Sequence, residues 1–150
     1  MTVSVHLENR FGRKGVPLKA SFEAWIASIP ELRRRQKADV NLRIVDTREG
    51  RHFNRQFRAK DYATNVLGFP YEPLPGEKTT LLGDLVICAP VVRREAAEQG
   101  KRPRDHYAHL TIHGVLHLLG YDHETDAQAQ RMEGLERRIL AGIGIADPYS

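Results

Sequence analysis

Only one cysteine, Cys88, occurs in the 150 residues, so no internal disulfide can form and an apolar core has to hold the fold. It lies in the run Leu85 Val86 Ile87 Cys88, where it reads as a small buried hydrophobe rather than a reactive thiol. Long apolar stretches are missing as well: nothing approaches the roughly 18 unbroken residues that a membrane-spanning helix needs. The opening Met1 Thr2 Val3 Ser4 Val5 His6 lacks the basic-then-apolar plan of a secretion signal, so no membrane association and a cytoplasmic location are expected. There is no internal repeat, low-complexity tract or linker, and at 41% hydrophobic content the chain is expected to form a single domain over 1–150.

Charge is present in quantity but not evenly. Residues 31–60 hold ten Lys or Arg against four acids, a local +6, whereas residues 121–150 hold three bases against six acids. A concentrated basic segment suits a polyanion, because Lys and Arg on phosphates supply most of the sequence-independent affinity for nucleic acid. Arg51, Arg55 and Lys60, within that segment, are the candidates for nucleic-acid contact.

Apolar periodicity sets the elements. Val3, Val5 and Leu7 alternate with polar residues as in a half-buried strand. Leu18, Phe22, Trp25, Ile26 and Ile29 form a helical stripe that Pro17 introduces and Pro30 stops. Val40, Leu42 and Ile44 alternate again, ahead of a turn-like Asp46 Thr47 Arg48 Glu49 Gly50, and Asn54 to Asp61 reads as a brief helix. Val66 to Phe69 is a third strand, Pro73, Pro75 and Gly76 mark an exposed loop, and the nearly continuous apolar run Leu81–Cys88 is the central strand, covered on both faces. Helices follow from Pro90 to Gly100, from Pro103 onward, and from Thr125, where Thr125 and Gln128 make a capping box ahead of an inner stripe of Met132, Leu135 and Ile139. The fold class is therefore α/β (α+β): one small mixed sheet of about four strands packed with about five helices.

The chemistry concentrates in His113 Gly114 Val115 Leu116 His117 Leu118 Leu119 Gly120 Tyr121 Asp122 His123. Imidazoles four residues apart share one helix face, and Gly120 lets the chain reverse and return His123 as a third ligand. Three nitrogens with no fourth protein ligand describe an open, catalytic metal site on a C-terminal helix and its following turn. Zinc leads on ligand softness, and nickel, cobalt or iron also accept imidazole. Peptidases with this spacing carry glutamate after the first histidine as general base, and Gly114 in that place removes it.

Several residues are assigned supporting roles. His109 lies one turn before His113 on the same face, and Asp122 adjoins the third ligand, where it either orients an imidazole or caps the next helix. Asp84 is a carboxylate inside the most apolar strand, a place where it must be either paired or functional. His6, His52 and His106 sit in weaker contexts and read as surface or structural residues.

Arg58 to Pro70, then Leu82 Gly83 Asp84, then His113 to His123, in that order, resemble the YbeY family of bacterial endoribonucleases over most of the chain after residue 40, down to Gly142 and Asp147 Pro148 Tyr149. The resemblance implies that His113, His117 and His123 bind one zinc ion and that Arg58 joins His113 in catalysis as the arginine needed for RNA cleavage. A guanidinium on a phosphodiester can hold two oxygens and stabilise the charge that develops there. The resemblance also implies maturation of the 3′ end of 16S ribosomal RNA, with the ribosome, small-subunit proteins and assembly factors as partners. Asn65 and Gly68 depart from the Asp and Ser usual in that family. Two other classes fit the same ligands: a peptidase-like or small-molecule hydrolase with its base drawn from Asp84, Asp122 or Glu124, and a non-catalytic zinc-containing assembly factor.

Overall fold

The computed structural model describes residues 1–58 and 64–149, with the backbone alone for residues 57 and 58. The alternating Val3, Val5 and Leu7 lie in β1 (Thr2–Asn9), and Val40, Leu42 and Ile44 lie in β2 (Lys37–Val45). Between them run α1 (Lys19–Ala27) and a 3-10 turn at Pro30–Arg34. Then follow α2 (Thr47–Arg58), β3 (Val66–Pro70), β4 (Leu81–Cys88), α3 (Ala89–Glu98), α4 (Pro103–Leu118) and α5 (Asp126–Gly142).

The strands form one sheet in the order β1-β2-β4-β3. β1, β2 and β4 run parallel, and β3 is antiparallel to β4. The apolar run 81–88 thus takes an inner position between two partners, as its lack of alternation requires. One sheet face, with Val5, Val40, Leu42, Ile44, Leu85 and Ile87, packs into the main core against α1, α4 and α5. Among the described residues the other face buries Val45, Leu67, Val86 and Cys88, with Val91 of α3, Phe53 of α2 and Phe69 of β3 beside them.

Two expectations change. Asp46 to Gly50 is not a reversal but the start of α2: Asp46 Oδ1 accepts the Glu49 backbone N–H at 2.9 Å and its carbonyl accepts from Gly50 at 2.9 Å, so the polar cluster is a helix cap. Leu18 precedes α1 and is 74% exposed, leaving Phe22, Trp25, Ile26 and Ile29 to make the buried stripe. In α5 the inner stripe of Met132, Leu135 and Ile139 faces the core as read, with Leu135 half-buried, and the fully buried Glu136 lies beside it. The capping box is present as read, with Thr125 and Gln128 exchanging two bonds of 3.1 Å. Among the described residues no helix is long and apolar enough to cross a membrane.

Candidate metal centre

α4 runs through the middle of the domain and is buried almost all round. Beyond its first turn the partly open positions recur once per turn, at His109, His113 and His117, so the helix presents a single polar stripe. The helix then ends in a Schellman motif: Gly120, at φ +102°, donates to the His117 carbonyl at 3.0 Å, and Tyr121 donates to Leu116 at 3.0 Å. This reversal returns His123 to the stripe. The Asp122 carboxylate accepts the His123 backbone N–H at 2.7 Å and so fixes the turn that delivers the ligand.

The three imidazoles converge. Ring centroids lie 4.6 Å apart for His113 and His117, 4.8 Å for His117 and His123, and 5.6 Å for His113 and His123. One nitrogen from each ring lies within 4.8 Å of the others, and the Nε2 atoms of His113 and His117 face each other at 3.1 Å. Two nitrogens bound to one tetrahedral zinc are roughly 3.3 Å apart, so the donor set fits such an ion. Burial, then the neighbouring charges of His113 and His123, lower the His117 pKa and favour the neutral, ligating form.

Behind His113 stands a residue that the sequence reading passed over. Glu136 Oε1 accepts from His113 Nδ1 at 2.7 Å and lies 3.3 Å from His109 Nε2, while Oε2 accepts the Tyr149 hydroxyl at 2.6 Å. With its proton committed to Glu136, His113 presents the Nε2 lone pair to the cluster, an arrangement common at metal sites. Burial alone would push the Glu136 carboxyl up, but His109, His113 and Tyr149 outweigh it and hold the pKa at about 2. The signal was available: position 136 is four residues from Met132 and three from Ile139, a carboxylate on the apolar stripe.

Gly114 explains how α4 lies so near the sheet. A Cβ there would fall 2.8 Å from Leu85 Cδ2 and 3.3 Å from Val66 Cγ2. The place where a peptidase would carry its base is therefore filled by the wall of β3 and β4.

A cleft of about 740 Å³ opens before the imidazoles, lined among others by Asn54 of α2, Asn65, Gly68 of β3, Tyr121, Asp122 and Glu124. Asp84 is not part of it. An irregularity in β4 opposite Asp39 and Val40 sets the alternation so that Leu85 and Ile87 enter the main core, and Asp84 is exposed on the other sheet face, where it accepts from Asn41 Nδ2 at 2.8 Å. That pairing corrects the supporting role assigned to Asp84. Arg51 and Arg55 are exposed on α2, and the helix ends at Arg58. Lys60 lies outside the described residues, as does the side chain of Arg58. Asn65 lines the cleft and donates its amide to Glu95 Oε1 at 3.0 Å, and the same oxygen lies 2.9 Å from Nε2 of the buried His106.

A mixed α/β sheet, with three imidazoles gathered on one helix and its turn beside an open cleft, defines a metal-site domain of the catalytic type. The chain belongs to the YbeY endoribonuclease family: the family model "Endoribonuclease YbeY" matches residues 8–144. It is 61% identical over 142 residues to the Endoribonuclease YbeY of Stenotrophomonas maltophilia, covering 92% of this chain and 88% of the relative. With that of Alkalilimnicola ehrlichii it shares 58% over 140 residues, 91% of this chain and 84% of the other. A solution structure from Thermotoga maritima shares the fold, with a TM-score of 0.57 at 24% identity over 99% of each chain.

Proposed function

We propose that this protein is a metal-dependent endoribonuclease that cuts single-stranded RNA, the whole of 1–150 acting as one catalytic domain with zinc on His113, His117 and His123. The carrying observation is the three-imidazole cluster at the cleft, in a chain so similar to proteins named as endoribonucleases. On the family reading the substrate is ribosomal RNA, cut at the 3′ end of 16S RNA in the cytoplasm, with the ribosome, small-subunit proteins and assembly factors as partners and a part in ribosome quality control.

Zinc held there would supply Lewis-acid polarisation of a phosphoryl oxygen or of an attacking water. The chain's own groups do the rest. Glu136 keeps the His113 proton on Nδ1, away from the cluster. Asp122 and Glu124 line the cleft, and either carboxylate can take the proton of water or of a ribose 2′-hydroxyl. Arg58, four residues beyond the cleft-lining Asn54, is the group that binds the scissile phosphate and stabilises the charge developing there. The peptidase-like alternative loses one of its three candidate bases, because Asp84 faces elsewhere.

Purified protein should cleave single-stranded RNA, lose that activity to a chelator and regain it with zinc, against a mock purification that excludes contaminating ribonuclease. His113→Ala and Arg58→Ala, each shown to be folded, should cut at least a hundredfold more slowly, in the range seen when one group that stabilises transition-state charge is removed. Wild-type rates in both variants would sink the nuclease assignment, and cleavage of casein but not RNA would replace it with the peptidase. A 2′,3′-cyclic phosphate product would identify the ribose hydroxyl as the attacking group.

A further inference from the structure

The chain end does more than trail from α5. Asp147 Oδ1 accepts from Arg137 Nε at 3.1 Å and from the Tyr149 backbone N–H at 2.8 Å. The Arg137 guanidinium lies 5.3 Å over the Tyr149 ring, and Lys101 Nζ reaches the Pro148 carbonyl at 3.5 Å. These contacts hold the Tyr149 ring edge-on to His109, centroids 5.4 Å apart, with its hydroxyl against the fully buried Glu136. Tyr149 lies beyond the residues 8–144 matched by the family model.

We propose that Tyr149 is a positioning residue for the metal site, acting through Glu136 on His113. The buried carboxylate offers two oxygens to three donors. Occupying Oε2 with the phenol leaves Oε1 to His113, which fixes the carboxylate's rotation about its last bond and, through it, the direction of the His113 ring. His109 Nε2 is 3.2 Å from the Tyr149 oxygen and 3.3 Å from Glu136 Oε1, so its single N–H supports the pair without displacing either partner. Without the phenol, Oε2 is a buried acceptor with no donor, and the carboxylate gains by turning toward His109 and away from His113. A metal ligand oriented less well binds its ion less tightly, and loss of such outer partners costs about 10–100-fold in affinity.

The proposal rests on the zinc reading above, and its test separates the two. Zinc affinity of the full chain is measured by competition with a chromophoric chelator, alongside melting of the metal-free protein and the visible spectrum of the cobalt form. Tyr149→Phe removes one oxygen from a partly exposed residue near the chain end. It should still fold when metal-free, melting somewhat below wild-type protein, bind zinc roughly tenfold more weakly and show an altered cobalt spectrum. Glu136→Gln should lose at least as much, and adding Tyr149→Phe to it should cost nothing further, since the phenol then has no carboxylate to hold. Wild-type affinity in Tyr149→Phe overturns the proposal, as does an equal loss in the Glu136→Gln background or a chain that no longer folds without metal, either of which makes Tyr149 a strap only. Wild-type protein that takes up no zinc sinks the metal reading itself.

Discussion

Gly114 shows how one side chain's absence shapes the site. Its missing Cβ lets α4 approach Leu85 and Val66 closely enough for the histidine stripe to overlook β3. Gly114→Ala should overpack this contact and cost about 1–3 kcal/mol in urea unfolding, as extra methyls in filled cores do. An unchanged midpoint would mean that Leu85 swings aside freely. At this scale the convergence of the three imidazoles was legible because their spacing and a turning glycine are local facts. Glu136 was legible only as a carboxylate on an apolar stripe; its partners, 23 residues back on α4 and 13 residues on at the chain end, were not. Asp84 was misplaced for a related reason: a strand's alternation tells which residues share a face, not which face meets the site.

Among the elements, α4 and α3 share a polar pair, the buried His106 with the half-buried Glu95. Burial lowers the His106 pKa below its ordinary 6.5, an effect that the Glu95 hydrogen bond only partly offsets. The unfolded chain therefore takes the proton first. Stability from the neutral ring is complete above about pH 6.5 and is lost as pH falls below it. Metal-free protein should melt lower at pH 5.5 than at pH 7.5, and His106→Gln should flatten that difference; equal pH slopes in the two proteins would remove His106 from the account. Most elements were readable from apolar period and Pro or Gly punctuation, including the inner position of β4. α2 was half missed because Asp46, Thr47 and Glu49 are turn formers and helix caps alike, and only the hydrogen bonds of Asp46 decide between the two.

Taken as a whole, the molecule divides its charge. The acidic end, with Asp122, Glu124 and Glu136, surrounds the imidazoles, while Arg51 and Arg55 stand exposed on α2, whose Asn54 reaches the same cleft. On the proposed reading, such a layout suits a phosphate backbone held at a distance from the reacting bond. Arg51→Ala and Arg55→Ala should each weaken binding to single-stranded RNA by a similar factor whatever the sequence, and lower the slope of log affinity against log salt by about 0.7. Unaltered slopes would move the RNA path off α2.

The three imidazoles at 113, 117 and 123, proposed to hold zinc, come from one stretch of eleven residues. Bringing the ends of so short a loop together costs little entropy, so a denatured chain already keeps its three imidazoles within reach of a common ion. Zinc should then cling to both forms, and the rise in melting temperature on saturating with it should fall short of what its dissociation constant from the native protein predicts. Calorimetry of the zinc-loaded and metal-free chains measures that shortfall; a rise equal to the full mass-action value would show that the trio assembles only after α4 has docked.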